Sequence, residues 1–294
     1  MKSIEIKSTT RHNVANKLLY ILYLVKRNPL SILGMFFLCI FILAAILGPI
    51  ITPYDPLDSQ ISETFQPPTK EHWFGTDNTG KDVYSRVIAG ARIDLSIAFF
   101  SVLLMVAIGV PLGSIVGYFG GLLDEIIMRL LDTIQAFPAF ILAMGIVAAL
   151  GQSIRNVILV IAFVNFPSYV RIVRASMMSL KERQFAEAAK CLGNPPFVII
   201  FKHLLPNCFG PILVQASLNS GWAILTAAGL GFLGLGVRIP APEWGAMVGI
   251  GAEYVVTGEW WMSSFPGLAI MLLVSGFNLL GDTLDDILDP QRRI

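Results

Sequence analysis

The chain has 294 residues, of which 55% are hydrophobic and 14% charged, with a formal net charge of +1 and a mean hydropathy of +0.69. Soluble globular chains carry roughly 25% charged residues, and here the charges gather between long runs that contain none, which excludes an ordinary soluble domain. The near-neutral balance offers no footprint for a nucleic acid, and Cys39, Cys191, Cys208, His12, His72 and His203 are too scattered for a disulfide framework or a metal-ligand spacing.

A helix needs about 20 mostly apolar residues to cross roughly 30 Å of hydrocarbon. The chain opens on a basic tail, residues 1–28, and the first uncharged run, 29–53, follows it. That run is too long for a signal-peptide core and lacks a small-residue cleavage site, so it reads as a retained helix. A polar connection follows, about residues 52–94. Within it, Gly75-Thr76-Asp77-Asn78-Thr79-Gly80-Lys81 matches the start of a phosphate-binding loop, but Asp82 stands where a hydroxyl should meet magnesium and no apolar strand precedes it. A Gly/Asp/Asn turn is the better reading.

Further runs of spanning length lie at 95–123, 133–154, 203–237 and 260–281. Residues 156–170, between Arg155 and Arg171, are marginal, yet arginines at their ends can snorkel to the headgroups, so a span is expected there too. The total is six. With the N-terminus inside, fifteen of the 21 basic residues fall on the inner side, which fixes the expected orientation with both termini cytoplasmic. Among them are Lys2, Lys7, Arg11, Lys17, Lys26, Arg27, Arg292 and Arg293. Trp244, Trp260 and Trp261 then suit an outer interfacial belt, with ligand contact as the alternative.

Polar residues inside apolar spans are either path-lining or engaged in interhelical hydrogen bonds: Asn165, Gln215, Asn219 and Asn278. Asp132 lies three residues after Arg129, a spacing that predicts a local ion pair. Asp282, Asp285, Asp286 and Asp289 read as part of a solvated inner tail, and glycines at 229, 231, 234 and 236 as close-packing positions. In the inner loop, residues 181–192 predict a short helix with Phe185, Ala188, Ala189 and Leu192 on one side. Gly193 ends it, and Asn194-Pro195-Pro196 turns the chain toward the next span. Such an elbow either docks on a cytosolic partner or rests on lipid headgroups.

Glu187-Ala188-Ala189, Gly193 and Leu205-Pro206 together resemble the EAA loop of importer permeases of the ATP-binding-cassette class. His203-Leu204-Leu205-Pro206-Asn207 is similar to the dipeptide, oligopeptide and nickel branch of that class. So are Phe74-Gly75-Thr76-Asp77, Gly80-Lys81-Asp82-Val83, Ser85-Arg86, Gly90-Ala91-Arg92, residues 229–236, Glu243-Trp244-Gly245, Phe265-Pro266-Gly267, residues 278–282 and Leu288-Asp289-Pro290. Lys81 and Gly231 depart from the usual arginine and serine. The chain looks like the C-type permease of the pair.

The resemblance implies an all-α integral membrane protein with the type I importer permease fold, in the cytoplasmic (inner) membrane of a prokaryote. It divides the chain into a cytoplasmic tail (1–28), a first helix with its extracytoplasmic segment (29–93), a five-helix core (94–284) carrying the coupling loop at 179–207, and a tail (285–294). It implies coupling residues Glu187, Ala188, Ala189, Gly193, His203, Leu205 and Pro206, and an external segment marked by Gly75, Thr76, Asp77, Gly80, Asp82, Arg86 and Arg92. The implied partners are a homologous second permease in a heterodimer, two ATPase subunits that hold ATP and magnesium, and an extracytoplasmic solute-binding protein. The implied cargo is peptides, with nickel or another metal–chelator complex as the alternative. An ion-gradient-driven secondary transporter is a more distant reading, because the spans lack mid-membrane ionisable groups. An intramembrane enzyme lacks convergent reactive residues, and a passive channel lacks a filter.

Overall fold

The computed structural model describes residues 28–288; the expectations placed on the N-terminal tail and on Asp289, Pro290, Arg292 and Arg293 lie outside the described residues. All regular structure here is helical. Helix α1, Pro29–Ile51, starts where the Asn28 side chain accepts a hydrogen bond from the Leu30 N–H at 3.1 Å. Its 23 residues extend about 35 Å, enough to span. Ser31, Gly34, Leu38, Phe41, Ala44 and Gly48 form its buried stripe, while Phe36, Ile46 and Ile50 face outward, as lipid contact requires.

Helix α2, Val83–Phe119, is capped by Asp82 and has 37 residues, about 55 Å. It overshoots the bilayer, so its first turns project on the side of the 52–82 connection. A domain boundary at residue 93 therefore falls inside a continuous helix, and the segment expected to be external shares one rod with the core. Helix α5, Ile154–Leu180, packs along α2 as the principal helix pair. The marginal run thus spans, extended well past Val170. The close approach comes from Gly109, Gly113 and Gly117 at four-residue spacing, where added Cβ atoms would sit 2.6 Å from Tyr169 Cβ, 2.6 Å from the Val170 carbonyl oxygen and 2.7 Å from that of Arg174. Small residues four apart let helix backbones meet in a membrane.

The run at 133–154 is not one helix. Helices α3, Gly121–Gln135, and α4, Ala139–Leu150, meet at a bend of 81°. Pro138 has no N–H to donate and disfavours helical geometry at Phe137, so the continuous apolar run breaks there. Helix α4 has 12 residues, about 18 Å, too short to span alone. The described residues thus contain five helices of spanning length, or six spans when the bent pair is counted as one.

Helix α6, Gln184–Cys191, forms the elbow. Helix α7, Pro196–Phe232, follows it and starts earlier than the expected 203. Pro206 cannot donate into its backbone ladder, and the preceding turn widens so that Leu205 N–H reaches the Ile200 carbonyl. Helix α8, Trp244–Ala252, lies in the connection to α9, Trp261–Leu288. Asp282, Asp285 and Asp286 lie in this helix, with Asp282 and Asp285 exposed. Helix α9 packs on α7 and α1, and Thr283 Oγ1 lies 2.7 Å from Ser31 Oγ.

Two of the three tryptophans read as an interfacial belt are core residues. The Trp244 indole is 0% exposed and donates to the Val87 carbonyl at 2.9 Å. Trp261 donates to the Thr76 carbonyl at 3.1 Å. A backbone acceptor satisfies each indole N–H, which permits full burial. Trp260 is exposed.

Candidate translocation cleft and coupling elbow

The two ends of the bundle differ in chemistry. At one end the 52–82 segment folds back on α2. Asp77 Oδ1 accepts from the Thr79 and Lys81 N–H groups at 2.7 and 3.0 Å, so a carboxylate fills the turn that resembled a phosphate cradle. Gly75 and Gly80 have φ of +73° and +77°. Thr76 and Asp82 are buried. His72 lies between Asp82, at 2.9 Å, and Glu63, at 3.3 Å. Arg86 donates to the Pro56 carbonyl at 3.0 Å and the Pro240 carbonyl at 3.4 Å, and faces Asp77 at 3.7 Å. These residues staple the lobe formed by residues 52–82 to α2 and the α7–α8 connection. Arg92 stands apart from them, exposed on α2.

Beside this lobe two acids are buried at the N-terminus of α8. Glu243, 1% exposed, accepts from the Gly245 and Ala246 N–H groups at 2.8 Å each. Asp94 Oδ2 lies 3.3 Å from Trp244 N, and its Oδ1 has no hydrogen-bond partner among the described residues. Burial pushes the Glu243 carboxyl up from 4.5 to about 7. Between those values the folded chain holds a proton that the unfolded chain has released, so stability falls as pH rises across that window and is level above it. Thermal unfolding of purified protein from pH 4.5 to 7 is expected to show a melting temperature that falls as the pH rises. Glu243→Gln removes that slope and lowers stability at the acid end, because its NH2 group faces an N–H that the carboxyl had capped.

At the opposite end, α2, α3, α5 and α6 converge. Lys181 Nζ reaches the Gly117 and Tyr118 carbonyls at 3.3 and 3.4 Å, and Lys190 sits over the Tyr118 ring at 5.9 Å. Asp132 pairs with Arg171 on α5, not with Arg129, whose partner is Glu125 one turn back. The local spacing misled because α3 lies against α5, which supplies a partner from distant sequence. Arg174 grips Asp124 through two nitrogens on two oxygens. Bidentate Arg–carboxylate pairs are among the stronger charged contacts. Asp124→Arg alone is expected to cost about 1.5–3 kcal/mol, and adding Arg174→Asp to recover most of it; melting temperatures of the three variants check this.

The elbow ends in a defined stop. Gly193 takes φ +76°; its N–H bonds the Lys190 carbonyl at 2.9 Å, and the Asn194 N–H bonds that of Ala189 at 3.3 Å. This paired arrangement closes a helix C-terminus around glycine. Ala186 and Ala189 are buried beneath α6, so Ala189 does not share the outward side expected for it. Phe185, Glu187, Ala188 and Leu192 are exposed, Leu192 at 82%. His203 and Leu205 are half-buried in the widened turn and Pro206 is exposed.

Between the ends, α4, α5 and α7 enclose a cleft of about 510 Å³, with Phe140, Asn165, Ser168, Gln215, Asn219 and Trp222 among its walls. Three of the four polar residues singled out by sequence meet here. Asn165 donates to the Ile161 carbonyl at 2.9 Å, and Gln215 donates to Asn219 Oδ1 at 3.1 Å. Asn219 is 6% exposed, and its amide lies beside the buried Tyr169 hydroxyl. No lining side chain is charged. Asn278 lies elsewhere, exposed on α9 with its Oδ1 facing Gly221. Ser168, Trp222 and Tyr169 were missed; Ser168, directly after Pro167 in a span, was the available signal.

A helical bundle with five helices of spanning length, a bent helix pair, a neutral cleft and a protruding, capped elbow at one end has the build of a polytopic membrane permease. The family described as binding-protein-dependent transport system inner membrane component matches residues 109–294, and the N-terminal TM domain of oligopeptide transport permease C matches residues 21–68. The chain belongs to this family of inner membrane transport components. It is 45% identical to the dipeptide transport system permease protein DppC of Alkalihalophilus pseudofirmus, covering 92% of this chain and 88% of that one. It is 39% identical to the probable D,D-dipeptide transport system permease protein DdpC of Escherichia coli, covering 98% and 95%. It is 40% identical to the di/tripeptide transport system permease protein DppC of Pseudomonas aeruginosa, covering 88% and 87%.

Proposed function

We propose that this chain is one permease subunit of an ATP-driven importer of di- or oligopeptides, working with a solute-binding protein on the outer side. The observation that carries the reading is the elbow: a rigidly capped helix whose exposed Phe185, Glu187, Ala188 and Leu192 stand at the end where Lys181, Lys190, Arg171 and Arg174 gather. A basic end belongs in the cytoplasm, with both chain termini, and an exposed apolar knob there calls for a partner. One of two ATPase subunits, which hold ATP and magnesium, docks on that knob and the other on the second permease; this chain hydrolyses nothing itself. A homologous second permease closes the open side of the cleft, and the external lobe around Asp77, Asp82 and Arg86 helps form the outer mouth. The relatives' names favour peptides over metal–chelator complexes as cargo.

The cleft chemistry agrees with that cargo. Amides and hydroxyls such as Asn165, Ser168, Gln215 and Asn219 pair with peptide backbones, and their neutrality leaves no strong electrostatic well. Purification of the tagged chain from its native host in mild detergent is expected to bring down a second permease and two ATPase subunits per pair. Recovery of the chain alone, with peptide uptake intact in cells lacking any associated ATPase, sinks the proposal.

A further inference from the structure

The final turns of α1 and the second and third turns of α2 leave a groove of about 210 Å³, walled by Ala44, Ala45, Gly48, Ile88 and Ala89, with Arg92 at its rim. It is smaller than the roughly 300–1,000 Å³ of small-molecule pockets, a size that suits one segment of a chain rather than a whole ligand. Arg92 is exposed, and its guanidinium has no hydrogen-bond or ion-pair partner among the described residues; only its backbone carbonyl is engaged, by Ser96. The contrast with Arg86, less than two turns earlier and fully bonded, is direct.

Arg92 shares the groove with Ala44, Ala45 and Gly48 of the final turns of α1, a helix of spanning length and composition. A guanidinium beside such a helix is costly without an anion, and its planar fork matches two phosphate oxygens. We propose that this groove binds an anionic glycerophospholipid, its phosphate on Arg92 and an acyl segment against Ala44, Ala45 and Gly48. On the proposed topology this is an outer-leaflet lipid; the site itself does not rest on the transport reading. The groove would fix α1 against the rod that bears the external lobe.

The test uses the assembled transporter in mild detergent, with phosphatidylglycerol or phosphatidylcholine added and retained lipid counted by native mass spectrometry. Phosphatidylglycerol is expected to be retained over phosphatidylcholine. Arg92→Ala should lower that retention about fivefold, the equivalent of roughly 1 kcal/mol for one basic residue at a membrane surface. Arg92→Lys should retain most of it and controls for folding. Gly48→Leu should exclude lipid with Arg92 in place; a Cβ there meets only Ile88 Cγ2 at 3.5 Å and the Ile88 carbonyl at 3.9 Å, ordinary contacts. Equal retention of both lipids, or unchanged phosphatidylglycerol in Arg92→Ala, overturns the proposal. So does a photo-crosslinker at Ala45 that captures the second permease instead of lipid.

Discussion

A Gly113→Leu chain is expected to insert into the membrane but fail to give a monodisperse particle in detergent. The added Cβ would lie 2.6 Å from the Val170 carbonyl oxygen and 3.0 Å from Val170 Cα. Both are backbone atoms of α5 and cannot swing aside as a side chain can. Overpacking a tight contact costs about 1–3 kcal/mol, occasionally more, and here relief requires parting the principal helix pair from Gly109 to Gly117. Gly145→Leu is the matched control, because a Cβ at Gly145 meets nothing within 4 Å. Fluorescence-detected size exclusion with thermal challenge reads both variants. A Gly113→Leu chain that elutes and melts like the parent removes the packing account of the fold.

Combining Phe185→Asp with Leu192→Asp should leave insertion and melting temperature unchanged while stripping the ATPase subunits from the purified assembly. Both side chains are exposed on α6, so neither supports this chain's own core, which rests on Ala186 and Ala189. Anchor residues of an interface are worth about 2 kcal/mol or more each, roughly 30-fold in affinity. Loss of one anchor should cut peptide uptake by about that factor, and loss of both should abolish it. Gly193→Val should act more mildly, through φ of +76°, which costs a branched residue roughly 1–2 kcal/mol. Retained ATPase subunits in the double variant would place the docking surface elsewhere.

The crossings were legible because hydrocarbon imposes a length and a composition that a sequence states openly. The elbow was legible for a different reason: Gly193 followed by Asn194-Pro195-Pro196 permits few backbone paths, and the helix stops there. Pro138 was equally visible, but a continuous apolar run masked it, so residues 133–154 were read as one helix. Tertiary partners were beyond local rules. Nothing near Asp132 announces Arg171, 39 residues away, and nothing in Trp244 distinguishes an interfacial indole from one bonded to Val87. Asn165, Gln215 and Asn219 could be flagged as costly in lipid, yet only the packing of α5 against α7 separates them from Asn278, which the same cost argument had grouped with them.

The absence of fixed charge along the cleft walls has a consequence for how diet is set. On the proposed reading this cleft is one wall of the corridor, and a wall that grips no ionic end group neither traps nor sorts basic, acidic and neutral peptides by side chain. Choice is then made before entry, by whichever receptor delivers its load at the outer mouth. Exchanging that receptor would change what a cell imports with this half of the corridor left untouched.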